Sequence, residues 1–177
     1  MIEGLEIFTD IISEEEEKEI IECIVNEPWN TSLRRLTQHY GYVYNYVSPY
    51  RLEKTKDPPL WLRNLIQKLL KKKYLTKKPE QIIINRYLVK EGIGPHIDST
   101  VFGDTICSLS LGSGCDFEFS KDRYEIYHIV PRTFIRMSKD ARYKWKHGIA
   151  KKKTDIVNGK RIKRKTRYSI TFRNLAK

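Results

Sequence analysis

The sequence predicts an α+β fold, mainly β, in which a double-stranded β-helix (jelly roll) core is buttressed by N-terminal helices. Helix signals are confined to the first part of the chain, whereas short β-prone runs follow one another from Asn85 onward. The length points to one domain, because 177 residues can bury a sizeable core but leave little room for a second unit. We therefore expect a single domain over residues 1–177.

Two helices are expected ahead of the β-rich part. Ser13 followed by Glu16 forms a capping box, and isoleucines at helical spacing come next, so residues 13–26 should be helical. Pro58-Pro59 opens a second helix, whose apolar stripe continues through about Leu70. We expect both helices to pack these apolar faces against a sheet.

Runs rich in β-branched and aromatic residues predict the strands 81–89, 105–111, 116–119, 124–130, 133–137 and 166–172. In the last strand, polar side chains from Arg167 to Arg173 share one face, and Tyr168, Ile170 and Phe172 share the other. A polar face of this kind either meets solvent or lines an internal cavity. The segment alone leaves both alternatives open. A jelly roll with a site in its mouth is the natural closure of such a series of strands.

Three residues have the order expected of a metal site. His96 and Asp98 stand two positions apart after a strand, so both side chains can point toward one ion. His147 follows about fifty residues later. Two imidazoles and one carboxylate are the facial ligands of non-haem Fe(II), and they leave open positions on the metal. We predict an iron site formed by His96, Asp98 and His147.

Several motifs together resemble the AlkB family of Fe(II)- and 2-oxoglutarate-dependent dioxygenases. They are Asn85-x-Tyr87, Gly94–Asp98, Ser108–Gly112, Pro131-Arg132, Arg142–Ile149 and Arg167–Arg173. The resemblance covers most of the chain. Residues 34–42 resemble the substrate lid of the eukaryotic members, and most of all that of the members that hydroxylate the wobble uridine of tRNA.

The resemblance implies an oxidoreductase whose cofactors are Fe(II), 2-oxoglutarate as cosubstrate, and O2. It implies that His96, Asp98 and His147 ligate the iron, and that Asn85, Tyr87, Arg167 and Arg173 hold 2-oxoglutarate. Because the guanidinium fork pairs bidentately with carboxylates, we expect Arg167 at the distal carboxylate and Arg173 nearer the metal. No catalytic side chain beyond the metal ligands is expected.

The charge balance points to a polyanionic partner. Thirty-four basic residues against 22 acidic ones give a formal net charge of +12. Residues 146–167 hold ten lysines and arginines against one acid. Asn158-Gly159 predicts a hairpin turn inside this stretch, so residues 150–166 form a basic hairpin insertion. It would present Lys160, Arg161, Lys163 and Arg164 to the substrate. The alternatives are a solvated loop and a nuclear-localisation run.

The second candidate substrate surface is the lid, residues 34–50. Tyrosines recur at every second position from Tyr40 to Tyr46, so all four would share one face of a strand. Aromatic faces beside arginines commonly stack unpaired bases. The substrate-binding residues predicted here are Arg34, Arg35, His39, Tyr40 and Tyr42. Tyr44 and Tyr46 are equally compatible with packing inside a sheet.

These observations predict an enzyme that oxidises nucleobases in nucleic acid, by demethylation or hydroxylation, with RNA or tRNA favoured over DNA. A DNA alkylation-repair demethylase is the main alternative. A protein hydroxylase is disfavoured by the basic charge, and an inactive nucleic-acid-binding module by the complete set of ligands and arginines.

The expected compartment and oligomeric state follow from the cysteines and from the absence of targeting signals. Cys23, Cys107 and Cys115 have no metal-binding spacing. Neither a secretory leader nor a membrane-spanning run is apparent. We expect a monomer in the cytoplasm or nucleus that is not secreted and has no membrane partner.

Overall fold

The computed structural model describes residues 1–31, 35–45 and 51–177. Within these ranges the helices are α1 (Glu14–Asn26), α2 (Leu60–Lys71) and α3 (Lys139–Tyr143). The strands are β1 (Leu5–Phe8), β2 (Thr37–Tyr40), β3 (Tyr42–Asn45), β4 (Arg51–Lys54), β5 (Gln81–Tyr87), β6 (Ile93–His96), β7 (Phe102–Gly112), β8 (Cys115–Ser120), β9 (Tyr124–Ile129), β10 (Thr133–Met137), β11 (Lys146–Ile149), β12 (Thr154–Val157), β13 (Lys160–Lys163) and β14 (Arg167–Leu175).

Two antiparallel sheets form the body of the fold. The larger has the order β1-β10-β7-β14-β5-β2, and the smaller has the order β6-β11-β8-β9. Their facing sides share an apolar cluster that includes Ile106 and Ile135 from the larger sheet and Phe117 and Phe119 from the smaller. This arrangement confirms the predicted class, a mainly β jelly roll with helices added.

Helices α1 and α2 cover the outer face of the larger sheet. Helix α1 begins at the predicted capping box, in which Ser13 and Glu16 exchange hydrogen bonds. Ile24 of α1 and Leu62 and Leu69 of α2 are buried in a second apolar cluster. Residues of the larger sheet form the other side of this cluster. Tyr168, Ile170 and Phe172 belong to this cluster. The apolar face of β14 therefore points to the helices.

The polar face of β14 consequently points inward. Arg167, Ser169, Thr171 and Arg173 alternate with the apolar residues and line a cavity between the two sheets. Arg167 and Arg173 are only 5% and 7% exposed. Of the two alternatives that the segment left open, the internal cavity is the one that the fold realises.

Gly41 interrupts the predicted row of tyrosines. Its φ is +77°, and a side chain there would meet the carbonyl oxygen of Glu80 at 1.9 Å. The chain therefore turns between β2 and β3, and β3 pairs with β4 in a separate two-stranded sheet. The expectation that Tyr40 to Tyr46 share one strand face is wrong. The turn at Gly41 ends β2, so the side chains of β3 do not continue the alternation of side-chain direction in β2. Tyr46 lies outside the described residues.

In the described part of the chain, every helix is too short or too polar to traverse a lipid bilayer.

Candidate active site

Three predicted ligands meet at the edge of the inner cavity. His96 ends β6, Asp98 lies in the loop that follows, and His147 lies on β11 directly opposite His96. One ligand atom from each residue falls within 4.8 Å of the other two. The imidazole ring centroids are 4.5 Å apart. Antiparallel pairing of β6 with β11 therefore brings together residues that are about fifty positions apart in the sequence.

The protonation states of these groups suit a divalent cation. Burial lowers the pKa of His147 to about 4, so its imidazole is neutral near neutral pH. Burial would raise the pKa of Asp98, but nearby positive charge, first that of Arg173, holds it below its usual value. Two imidazoles and one carboxylate form the donor set of a non-haem Fe(II) site. The residues present therefore fit the metal.

Neighbouring groups orient the two histidines. Nδ1 of His96 lies 2.9 Å from the carbonyl oxygen of Gly94, which can only accept a hydrogen bond, so Nδ1 carries the proton and Nε2 is left for a metal. The ring of His147 packs against the rings of Phe117 and Phe119, at centroid distances of 5.6 and 6.2 Å. Both imidazoles are thus fixed in orientation.

A cavity of about 70 Å³ extends from the triad between the sheets. The predicted cosubstrate residues Asn85, Tyr87, Arg167 and Arg173 all line it. Asn85 and Tyr87 point the same way from β5, as their spacing required. Burial raises the pKa of Tyr87, so its phenol remains a hydrogen-bond donor.

The two arginines occupy different ends of this cavity. Arg173 donates a 2.5 Å hydrogen bond to Oδ1 of Asp98, at the triad. Arg167 donates to Oγ of Ser110 at 2.9 Å and lies near the Tyr87 ring, 5.4 Å from its centroid. Among the described residues, Nη1 of Arg167 and Nε of Arg173 are buried without a hydrogen-bond partner. Buried donors of this kind are costly unless an acceptor arrives, and the carboxylates of 2-oxoglutarate are suitable acceptors.

A second, more open cleft adjoins the triad. Arg35, Tyr44, Ile97, Ser99 and Phe102 are among the residues that line it, beside His96 and Asp98. Arg35 links the cleft to the inner cavity, because its Nε donates to Oδ1 of Asn85 at 2.7 Å. The rings of Tyr44 and Phe102 meet edge to face with centroids 5.8 Å apart. The predicted lid residue Arg34 lies outside the described residues.

The structure places the tyrosines of the lid differently from the prediction. Tyr40 is fully buried in the outer apolar cluster and lies under Lys56, whose Nζ is 4.8 Å from the ring centroid. This corrects its expected role in substrate binding, because β2 directs Tyr40 toward the helices. Tyr42 is half-buried on β3. Tyr44 lines the cleft in its stead. Gly41 is a turn signal in the sequence, and it could have indicated that the tyrosines before and after it lie on different strands.

His39 points to the inner side of β2. It is paired with Ile83, which lines the cavity, and its Nε2 lies 2.9 Å from Oγ1 of Thr37. Burial, together with the charges of Arg173 and Arg35, lowers its pKa. His39 lines neither the inner cavity nor the cleft.

The basic hairpin divides into exposed and buried residues. Lys160, Arg161 and Lys163 lie on β13 and are exposed. Arg164 is 8% exposed, and its guanidinium grips Asp155 through hydrogen bonds of 2.6 and 2.7 Å. This corrects the expectation that Arg164 is presented to a substrate with its neighbours, because a buried carboxylate already binds it.

Arg142 is a site residue to which the sequence patterns assigned no role. It lies on α3 and is 2% exposed. Its guanidinium donates to four backbone carbonyls at 2.8–3.1 Å: those of Asp98 and Ser99 in the loop after β6, and those of Phe102 and Gly103 at the start of β7. Its position five residues before the predicted ligand His147 was the one hint of a role near the metal site. Spacing along the sequence cannot show which loop the side chain contacts.

Known proteins resemble this chain in sequence or in fold. The sequence profile of the 2OG-Fe(II) oxygenase superfamily matches residues 22–173. An uncharacterized protein of Acanthamoeba polyphaga mimivirus is 39% identical over 183 residues, which cover 99% of this chain and 87% of that protein. The mouse tRNA (carboxymethyluridine(34)-5-O)-methyltransferase ALKBH8 is 36% identical over 168 residues, which cover 87% of this chain.

The chain spans 25% of the length of that mouse protein. Among solved structures, that of OsALKBH1 matches with a TM-score of 0.69 at 15% identity and covers 97% of this chain and 98% of the other. At that identity the match establishes the fold.

Proposed function

The chain belongs to the 2OG-Fe(II) oxygenase superfamily and is homologous to the AlkB proteins, and on that premise we propose that it oxidises nucleobases in nucleic acid, with RNA favoured. The family uses Fe(II), 2-oxoglutarate and O2, so the chain is an oxidoreductase.

One observation carries the proposal: the triad borders both an inner cavity lined by polar and charged side chains and a cleft with an aromatic and a cationic side chain. The cavity suits a small dicarboxylate. The cleft suits a planar ring, because Tyr44 provides aromatic surface and Arg35 provides charge. A base must leave its stack to reach such an enclosed metal.

Each residue of the cavity has a distinct task in this proposal. His96, Asp98 and His147 would hold Fe(II), which, when bound, couples decarboxylation of 2-oxoglutarate by O2 to hydroxylation of a C–H bond. Arg167 binds the distal carboxylate of 2-oxoglutarate, and Arg173 neutralises charge beside Asp98. Asn85 and Tyr87 orient the chain of the cosubstrate between them.

The outcome depends on the carbon that is hydroxylated. Hydroxylation of an N-methyl group yields an unstable hemiaminal that releases formaldehyde, which is demethylation. Hydroxylation of a carbon side chain on a uridine yields a stable alcohol. RNA is favoured because the mouse relative is named for tRNA modification and because the exposed basic hairpin suits a phosphate backbone. Demethylation of alkylated DNA is the second candidate.

Mass spectrometry of nucleosides tests the proposal. The protein is incubated with Fe(II), 2-oxoglutarate and either bulk tRNA, methylated RNA, methylated DNA or a mixture of peptides, and succinate is measured in parallel. We expect RNA to accelerate succinate formation and a nucleoside to gain oxygen or lose a methyl group. Acceleration by peptides with unchanged nucleosides would overturn the proposal. The Asp98→Ala variant is the blank.

A further inference from the structure

The hairpin of β12 and β13 has a defined shape. Asn158 and Gly159 both have positive φ, 50° and 76°, which is the turn that matches the twist of a two-stranded ribbon. The strands pair in register from Thr154 opposite Lys163 to Val157 opposite Lys160. It is an ordered projection from the jelly roll, inserted between β11 and β14.

The cations of the hairpin are not neutralised by the protein. Lys151, Lys153, Lys160, Arg161, Lys163 and Lys165 are exposed, and in the described parts of the chain none of them is within ion-pair distance of a carboxylate. Elsewhere lysines and arginines do pair, as Arg132 does with Glu17 and Arg136 with Glu6. The hairpin region therefore presents a cluster of six exposed cations that pair with no carboxylate of the described residues.

A buried charge network fixes the base of the hairpin. Arg164 binds both carboxylate oxygens of Asp155 and also donates to the carbonyl of Ala150 at 2.7 Å. Asp155 interacts in turn with Asp116, whose Oδ1 lies 2.9 Å from Nδ1 of His128. Lys152 bridges to Glu118 at 3.3 Å and lies 3.8 Å from Asp116. The hairpin is thus tied to β8 and β9.

This network is not a second metal site. Ligand atoms of Asp116, His128 and Asp155 do lie within 4.8 Å of one another. Arg164 already occupies both oxygens of Asp155, so a cation would have to displace a buried guanidinium. The group is an internal ion network, and its structural effect is to hold the hairpin.

The base of the hairpin lies beside the loop that leads to the cleft. The amide of Lys90 donates to the carbonyl of Lys152 at 3.3 Å. A side chain at Gly92 would meet the carbonyl oxygen of Ile149 at 2.1 Å, so the two segments are in close contact. Gly92 precedes Ile93, which lines the cleft. A polyanion on the hairpin would therefore approach the metal side of the fold.

We propose that the β12–β13 hairpin is a rigid arm that binds the phosphate backbone of the nucleic acid, and that Arg164 is the positioning residue that holds the arm. The inference rests on the proposed function and identifies where the substrate backbone docks. Nucleic acid is favoured over a lipid surface because both faces of the ribbon mix cations with apolar residues, as Arg161 opposite Ile156 and Lys160 opposite Val157 show. Neither face is an apolar surface that could enter a bilayer.

Binding measured without iron tests the arm. Anisotropy of a labelled single-stranded RNA is followed against salt for the full chain and for a variant with Lys160→Ala, Arg161→Ala and Lys163→Ala. Losing three phosphate contacts should reduce the slope of log affinity against log salt by about 2 and weaken binding at least tenfold at low salt. The matched control, Lys71→Ala, Lys72→Ala and Lys77→Ala, removes the same charge from the helix side. Equal slopes for the two variants would overturn the proposal.

A second variant tests the positioning role without a change in net charge. Asp155→Asn combined with Arg164→Gln removes one negative and one positive charge together. We expect faster hydrogen exchange in β12 and β13 and weaker RNA binding, with the exposed cations still present. Unchanged RNA binding would refute the role of Arg164. Vesicles of anionic lipid and a polyglutamate peptide are run in parallel, and a larger loss on either than on RNA would refute the choice of partner.

The two proposals fail in distinguishable ways. If no nucleoside is oxidised but the hairpin variant loses RNA binding, the hairpin is an RNA-binding arm and the proposed function is wrong. If nucleosides are oxidised and the hairpin variant binds RNA as the control does, the arm is wrong and the function stands.

Discussion

Nη1 of Arg142 donates a 2.9 Å hydrogen bond to the backbone carbonyl of Asp98. Through this bond and three others, a buried guanidinium holds the whole loop from Asp98 to Gly103. Helix α3, which carries Arg142, leads directly into β11 and His147. Arg142 therefore joins the segments of two candidate metal ligands.

Replacing Arg142 should weaken metal binding. In Arg142→Lys, a single ammonium group replaces a planar fork and cannot reach four carbonyls at once. Groups that orient metal ligands typically change affinity by about 10- to 100-fold, and we expect a loss of that size for Mn(II) or Co(II) by calorimetry. The control Arg136→Lys makes the same change on the outer face, where the side chain pairs with Glu6. Equal metal affinity in both variants would contradict the prediction.

Replacing a triad residue should abolish oxidation. In His96→Ala or Asp98→Ala one of three protein ligands is lost, so we expect no metal-dependent succinate formation above the blank and no Co(II) absorption band of the bound site. Asp104→Ala, an exposed carboxylate on β7, serves as the control. Full turnover in either triad variant would rule out the assigned metal site.

Arg167→Met should act on 2-oxoglutarate rather than on the metal. Hydrogen bonds to charged groups contribute about 1.5–3 kcal/mol, so the KM for 2-oxoglutarate should rise by roughly 10- to 100-fold. Metal affinity should stay within about twofold, because Arg167 lies at the other end of the cavity from Asp98. Steady-state kinetics with varied 2-oxoglutarate measures the first quantity and calorimetry the second. An unchanged KM would remove Arg167 from the cosubstrate site.

Tyr44 and Tyr40 should respond in opposite ways to truncation. Tyr44 lines the cleft, and base stacking on an aromatic side chain contributes about 1–3 kcal/mol, so Tyr44→Ala should weaken use of the nucleic acid by about 5- to 100-fold. Tyr40 is buried under the helices, so Tyr40→Ala should lower the free energy of unfolding by about 3–5 kcal/mol. Urea denaturation and oxidation kinetics on the same two proteins separate the effects. If Tyr40→Ala weakened use of the nucleic acid and Tyr44→Ala mainly lowered stability, the expectation that Tyr40 faces the substrate would be correct after all.

The metal-free protein should lose stability as the pH falls through the range of histidine titration. The pKa of His147 is lowered to about 4 by burial, against about 6.5 in an unfolded chain. The folded state therefore binds fewer protons between these values, so its stability falls as the pH drops and levels off below about 4. From about pH 7.5 to about pH 5 the expected loss is about 2 kcal/mol.

Urea denaturation across that pH range in chelator measures this loss. His39, whose pKa burial also lowers, adds a loss of the same sign. The comparison with His147→Asn isolates His147, and the variant should show a shallower pH dependence. Parallel pH curves for the two proteins would show that His147 does not carry the effect.

Local patterns predicted most elements because each rests on interactions between near neighbours. The capping box at Ser13, the stripe of α2 and the alternation in β14 are periodicities of a few residues. The structure has these elements near the predicted bounds. It also contains β1, α3 and the pairing of β6 with β11, which are short and acquire stability from distant partners.

Residue type and order along the chain were sufficient to indicate the triad, the pair of arginines and the basic hairpin turn. The tertiary structure decided how each side chain is used. It turned the polar face of β14 inward, moved the cleft position from Tyr40 to Tyr44, and buried Arg164 against Asp155. Alternation along a strand is a property of the local backbone, whereas the face that is buried depends on what packs against it from elsewhere in the chain. For that reason the chemistry could be inferred from the sequence, and the surface that meets the substrate required the fold.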